Sequence, residues 1–516
     1  SWSCATGFGT LRATRYPCCT TPPPPTCGNC PNTSLSHVSF SPRSRSVRLP
    51  NWRTPWVQGA ALFLLAFVLR AWSATLEDFP NLWDEQYHAA VAKSLINNPL
   101  EPRLLPNTGQ ELDHKDWTGN GVWLHKPPLF LWTLAGSLRL WGTTVWGLRF
   151  PSILLGSFSV LLVWALGRRF SNERAGLWGA LWLAVGHFSL SLVAGRIPTD
   201  HNDVHFAFWV GLGLWTASGY MHRSTYGRAA AVGAAVGAAV LTKWLPGLWA
   251  GGVLGLWIFW SGRHLGTVGR RSLAHGILAV CVATVVALPW NVYIRTVFPT
   301  EATYESEYNA RHLTEALEGH REPLYFHATS QTDLWGWSGA LLLVLGLGAA
   351  WRTRRPEWRS TVVGVVLFFG VYTAAATKMV SFTYGISVPL ALLVGCGADG
   401  VLRKVDGVLR RSDSPVGRIR WARNAAIAAL LALAFLDNGR PWETWSKAQL
   451  NTPMRRTRQR YADYFRAHAA THPGERPAFQ NVPKHAVPLA LFFTDGTVDV
   501  RSVNAQPELV PERKTR

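Results

Sequence analysis

The 516-residue chain is 48% hydrophobic, carries 27 Trp and is only 16% charged, well below the roughly 25% of soluble domains. Many apolar runs approach the about 20 residues needed to cross a bilayer, which excludes an ordinary soluble domain and predicts a polytopic membrane protein. The net charge of +21 then reads as basic inner-side loops rather than as a nucleic-acid footprint.

In chain order, residues 1–50 are rich in Ser, Thr, Pro and Arg and include "TPPPPT". Cys27 and Cys30 form a lone C-x-x-C with no second pair at zinc spacing. No apolar signal-peptide core is present, so a disordered or mis-called extension is expected. The membrane domain is expected over 51–438, with eleven spans at 56–74, 149–167, 175–193, 204–220, 229–243, 245–261, 273–294, 335–351, 360–377, 382–399 and 424–438; the count extends to thirteen if hairpins divide differently. With the N-terminus inside, the inner loops hold "GRRFSNER", "MHRSTYGR", "SGRHLGTVGRR", "WRTRRPEWR" and Arg403 to Arg423. The basic loops thus share one side, as the positive-inside rule requires.

This topology leaves three outer segments. Residues 75–148 form a long first loop, 295–334 a second, and 439–516 a small external α/β domain with helix 455–470, strand 477–482, helix 484–493 and strand 497–503. Within the first loop, 84–96 predicts an amphipathic helix. The run 127–142, "PPLFLWTLAGSLRLWG", contains Arg139. Counting it as a span would invert every basic loop after it. It is therefore expected to lie flat on the outer membrane surface, apolar side down, with Pro127 and Pro128 in its first turn, where a missing N–H costs little.

Polar groups gather at the outer ends of these helices: Asp84 and Glu85 in "NLWDEQYH", His125 and Lys126 in "LHKPPL", Arg196, Asp200 and Asp203 in "GRIPTDHND", Lys243 in "LTKW", His320 and Arg321 in "LEGHREPLYF", and Lys378 and Tyr384 in "TKMVSFTYGIS". Singly, each has an ordinary explanation: helix-start carboxylates, snorkelling lysines, an Arg–Asp ion pair, a belt tyrosine. Together they suit a lipid-linked phosphate held by lysine and arginine, with a carboxylate as general base toward an acceptor hydroxyl or amine. No Gly-rich nucleotide-binding motif is present.

From about Trp56 to Leu393 these motifs resemble, in order, those of GT-C membrane glycosyltransferases that use polyprenyl-phosphate sugars. The bacterial branch related to protein O-mannosyltransferases (family 39) and aminoarabinose-to-lipid-A transferases is the most similar. "WDEQYHAAVAKSL" resembles the acidic first-loop motif, "HKPPLFLW" the Lys-Pro motif and "GRIPTDHND" the Arg…Asp motif. "LTKW" resembles the Thr-Lys element, and "TKMVSFTYGISVPLALL" the Lys…Tyr…Pro segment. The resemblance implies an all-α GT-C fold, Asp84 as base and Lys126 on the lipid phosphate, with Glu85, Arg196, Asp200, Lys243, Lys378 and Tyr384 lining the substrate site. It further implies inverting transfer to a protein, lipid or glycan acceptor at the outer face of the plasma membrane. Aminoarabinose transferases carry an acid where this chain has His125, and a metal is implied at related positions. His125 and His320, completed by Glu85 or water, are the zinc candidates, against the usual three or four ligands.

The competing class is a lipid or solute transporter, or a non-catalytic membrane scaffold. Transporters place ionisable groups near the midplane and often use inverted repeats. Here the polar set lies at one surface and no repeat is visible.

Overall fold

The computed structural model describes residues 54–105, 112–198, 201–261, 270–411, 416–446, 452–480, 482–498 and 508–510. The extension 1–50, including Cys27 and Cys30, lies outside them, as does Asp200.

Each of the eleven predicted spans contains helix. The helices are α1 (Pro55–Ala74), α2 (Asp84–Ser94), α3 (Pro128–Trp141), α4 (Val145–Phe170), α5 (Glu173–Val185), α6 (His187–Val193), α7 (Asn202–His222), α8 (Tyr226–Lys243), α9 (Trp249–Trp260) and α10 (Arg270–Val297). After α11 (Pro299–Thr314) and a single turn, α12 (Phe326–Thr329), come α13 (Gln331–Arg352), α14 (Pro356–Ala374), α15 (Ser387–Arg411) and α16 (Val416–Leu433). Among the described residues, by length and apolar composition alone, six helices can cross a membrane, or seven when α5 and α6, bent by 51° at Gly186, count as one span. Eleven were expected. The difference comes from elements such as α9, whose helix is only 12 residues long.

The apolar first half of α15, residues 387–399, is buried throughout, whereas α10 and α16 expose most of their apolar surface. Small residues let the backbones around α15 close up. A Cβ on Gly346 would meet the Leu393 carbonyl oxygen at 1.9 Å, and one on Gly397 the Leu342 carbonyl oxygen at 2.0 Å.

Three of the loops assigned by charge to one side share one end of the bundle. Arg355 donates to the Phe170 carbonyl (2.6 Å), as does the Trp358 indole (2.9 Å). Asn172 donates to Asp399 (2.8 Å), which also pairs with Arg174 and Arg403. The described candidate site residues lie toward the opposite end.

There α3 differs from expectation. Pro128 opens it as foreseen, but its apolar face is not offered to lipid. Phe130, Leu131, Leu134 and Leu138 are buried in a second core, because α2, α4 and α8 all pack against this helix. Of its large apolar side chains, Leu140 and Trp141 at its end are the exposed ones. The same core takes in the C-terminal segment: α17 (Pro441–Thr444) leads to α18 (Pro453–Thr471), β1 (Ala478–Gln480), α19 (Val487–Phe493), β2 (Thr497–Val498) and β3 (Glu508–Val510). The strand order is β2-β1-β3, with β1 parallel to β2 and antiparallel to β3. Phe465, Phe479 and Leu489 join Tyr87 and Val91 of α2 in one apolar cluster, so the C-terminal α/β segment is built onto the loop that carries Asp84.

Candidate active site

α2 begins at Asp84 with two carboxylates in its first turn, where the helix dipole favours negative charge. Adjacent side chains on a helix point about 100° apart, and these two have different fates. Asp84 is half-buried at the helix start. Glu85 is 2% exposed and both its oxygens are held: Arg149 Nε donates to Oε1 (2.7 Å), and Arg149 Nη2 (3.0 Å) and the Asn81 backbone N–H (2.7 Å) donate to Oε2. Gly195 sits against this carboxylate with φ +67, and a Cβ there would fall 2.0 Å from Oε2.

Arg149, wholly buried at the start of α4, also donates to the carbonyls of Ala74 (2.7 Å), Glu77 (2.8 Å) and Phe79 (3.0 Å). Its five N–H groups thus serve Glu85 and the connection from α1 to α2. Arg196 does similar work. It donates to Thr444 O, Ser73 O and Ser73 Oγ, each at 2.6 Å, and approaches Glu77 at 3.6 Å. Burial pushes its guanidinium down to about 10, against the pull of Glu77, so it stays charged at neutral pH.

From the far end of the sequence, α18 grips the same connection. Arg455 pairs with Glu77, and Arg466 with Asp78 at 3.0 Å. Arg458, 2% exposed, donates to Pro80 O (2.7 Å) and Gln86 Oε1 (2.9 Å).

A second group surrounds Lys126, itself half-buried. His125 stacks on Trp117 (5.0 Å between centroids, 7°) and lies 3.4 Å from Glu305. Glu318 accepts from Trp117 Nε1 (3.0 Å) and the Tyr308 hydroxyl (2.8 Å). Burial alone would raise Glu318, but Tyr308, His125, Lys126 and His312 hold its carboxyl below the usual range. Burial, then Lys126, His125 and His320, push the His312 imidazole down to about 4, with Glu318 opposing them.

Lys243 pairs with the buried Asp203 and lies over the Phe382 ring at 5.5 Å. The next residue, Trp244, has φ 55, a costly conformation for a bulky side chain and of the kind held at functional sites. His88, one turn after Asp84 on α2, meets His201 with 3.3 Å between Nδ1 atoms. His320 and Lys378 line a cavity of about 370 Å³ together with Glu322, Asp333 and Arg440. Lys378 is 5% exposed and its ammonium donates to Ala375 O at 2.7 Å. Tyr384 is deeper, its hydroxyl 2.8 Å from Ser189 Oγ, which also accepts from Arg70.

Among the described residues, no three His, Cys, Asp or Glu side chains converge to hold a metal. The proposed set does not fit one: His125 faces Glu305 inside an aromatic cage, His320 lines the Lys378 cavity, and Glu85 is spent on Arg149. The sequence reading missed Arg149, Glu77, Arg458, Glu305 and Glu318. For Arg149 a signal existed, since an arginine at the edge of an apolar run requires a buried partner.

Residues 125–292 match the family model described as dolichyl-phosphate-mannose-protein mannosyltransferase. The chain is 18% identical to ArnT from Cupriavidus metallidurans in the apo state, with a TM-score of 0.57 over 84% of both chains. It superposes on the archaeal oligosaccharyltransferase AglB from Archaeoglobus fulgidus with a TM-score of 0.53, at 13% identity over 87% of this chain and 65% of that one. The chain has the GT-C fold. Within that fold it resembles the aminoarabinose transferases in sequence. It is 29% identical over 337 residues to the undecaprenyl phosphate-alpha-4-amino-4-deoxy-L-arabinose arabinosyl transferase of Pseudomonas paraeruginosa, covering 62% of this chain and 57% of that protein. A Pseudomonas fluorescens protein of the same name, numbered 1, is 26% identical over 79% of this chain and 67% of its own length. The chain spans less than two thirds of the first of these curated relatives.

Proposed function

We propose that this GT-C protein transfers a sugar from a polyprenyl-phosphate donor to an acceptor at the outer face of a bacterial inner membrane. The observation that carries this reading is the division of labour at α2. Glu85 is turned inward onto Arg149, whereas its neighbour Asp84 opens α2 half-buried, at the end of the bundle where Lys126 also lies. Support for the donor class comes from the relatives, whose names specify an undecaprenyl phosphate sugar, and from ArnT, solved with undecaprenyl phosphate bound.

In the proposed step Asp84 takes the acceptor's O–H or N–H proton as the acceptor atom attacks the anomeric carbon. The bond from that carbon to the phosphate oxygen breaks, and polyprenyl phosphate leaves with the electron pair. Attack opposite the leaving group inverts the anomeric centre. Lys126 supplies the point charge on the donor phosphate, with Lys378 as a second cation. Lys243 and Asp203 hold the adjoining wall. Preorganised charge of this kind is the main catalytic resource for such a displacement.

The test is turnover by purified protein supplied with polyprenyl-phosphate sugars, read as release of polyprenyl phosphate and as the anomeric configuration of the product. Failure to consume any such donor, or retention of configuration, would overturn the reading. Sidedness has its own assay: a cysteine replacing the exposed Asp113 should react with an impermeant thiol reagent in spheroplasts, and one at Ser261 should not.

A further inference from the structure

At the end of the bundle away from Asp84, α1, α4 and α7 enclose a groove of about 730 Å³. Its wall is apolar, dominated by Trp56, Phe63, Phe158, Trp164, Phe208 and Trp215. Two of these rings carry cations. The Arg168 guanidinium lies 4.8 Å from the Trp164 ring centroid, and that of Arg169 lies 4.3 Å from Trp215. Arg169 also donates to Ser218 Oγ, and Arg228 to the neighbouring Gly219 carbonyl at 2.6 Å, which brings a third cation to the rim. Three other arginines at this end pair with acids: Arg174 with Asp399, Arg355 with Glu357, Arg403 with Asp399. Among the described residues no carboxylate pairs with Arg168, Arg169 or Arg228. From Arg149 to Arg169, α4 rises by about 30 Å, one hydrocarbon thickness. The rim therefore lies at the membrane surface opposite the candidate active site.

We propose that this groove is a binding site for one anionic glycerophospholipid, its phosphate between Arg168 and Arg169 and an acyl chain along the aromatic wall. The two halves call for the same molecule. Guanidiniums without a carboxylate partner present planar forks suited to phosphate oxygens, and stacking on indole holds those forks in place. A free phosphate would leave the groove unfilled, and a zwitterionic phospholipid, which offers the same phosphate, would bring its ammonium toward the third cation, Arg228. The site is separate from the residues proposed for sugar transfer and does not depend on that reading.

Native mass spectrometry of the full chain, delipidated in detergent and titrated with phosphatidylglycerol, phosphatidylethanolamine or a polyprenyl phosphate, tests it. The parent should hold one phosphatidylglycerol in preference to both others. Arg168→Gln with Arg169→Gln should weaken that binding about thirtyfold, from about fivefold for each cation near an anionic headgroup. Arg168→Lys with Arg169→Lys keeps the charge and should stay within a few fold of the parent. Ala165→Trp, which fills the groove and leaves the arginines intact, should also abolish retention. Phosphatidylglycerol should raise the thermal midpoint of the parent and not of the Gln pair, since a ligand stabilises only the state that binds it. Equal binding by parent and Gln pair, equal binding of phosphatidylethanolamine, preference for polyprenyl phosphate, or no effect of Ala165→Trp would each overturn the assignment.

Discussion

Arg149 and Glu85 form a two-pronged buried ion pair, 2.7 and 3.0 Å, between the start of α4 and the first turn of α2. It fixes the helix that presents Asp84, so the two adjacent carboxylates should fail in different ways. Glu85→Gln strands a buried guanidinium and should cost about 3–5 kcal/mol of stability, read as a lowered thermal midpoint and poor yield. Asp84→Asn should keep the parent's midpoint and donor binding while turnover falls about 10²–10⁴-fold. A stable Glu85→Gln protein without activity, beside an active Asp84→Asn, would transfer the base role to Glu85.

Lys126 sits where His125, His312 and Glu318 already interact through charge. Lys126→Ala should weaken binding of the donor by about tenfold or more, as loss of a charged hydrogen bond implies. Lys126→Arg should recover only part of this, because a fork replaces a point charge. Donor titration in the absence of acceptor measures the effect directly. An unchanged dissociation constant in the Ala variant removes the phosphate role.

The helices were legible because their apolar runs are local. Every expected span contains helix, and the amphipathic 84–96 segment appears as α2. The partners were not legible, because they are distant in sequence. Glu85 meets Arg149 across 64 positions, and Gln86 meets Arg458 across 372. One sequence shows that a buried charge needs a counter-charge, but not which one. The same limit explains α3. Its pattern showed an apolar face, yet the choice between membrane and protein was made by α2, α4 and the C-terminal segment packing against it. Arg196 was read as a phosphate ligand from its charge, whereas its hydrogen bonds go to Ser73 and Thr444.

Arg458 offers a test of whether the C-terminal segment positions the base. It braces Pro80 and Gln86 on either side of Asp84, and burial lowers it to about 10, so it is cationic at neutral pH. Arg458→Ala should cut kcat about tenfold or more, since losing its charged hydrogen bonds frees the α2 entry. Donor affinity should stay near the parent value, and Arg458→Lys should restore part of the loss. Parallel losses in kcat, donor binding and thermal midpoint would mean a general packing defect instead.

Acid should loosen the site end through two imidazoles. His312 is pushed down to about 4 by burial and then by Lys126, and His327 to about 4 by burial and then by Lys378. An unfolded imidazole takes its proton near 6.5. Between pH 6.5 and 4 the unfolded chain therefore binds more protons than the folded one, and stability falls as pH falls through that window. Above 6.5 both states are neutral and the effect is absent; below 4 both are charged and the loss is complete. Thermal midpoints measured from pH 7.5 to 4 should decline through this range. Combining His312→Gln with His327→Gln should flatten the decline, because an amide has no proton to gain. An equally steep decline in that double variant would assign the acid sensitivity to other groups.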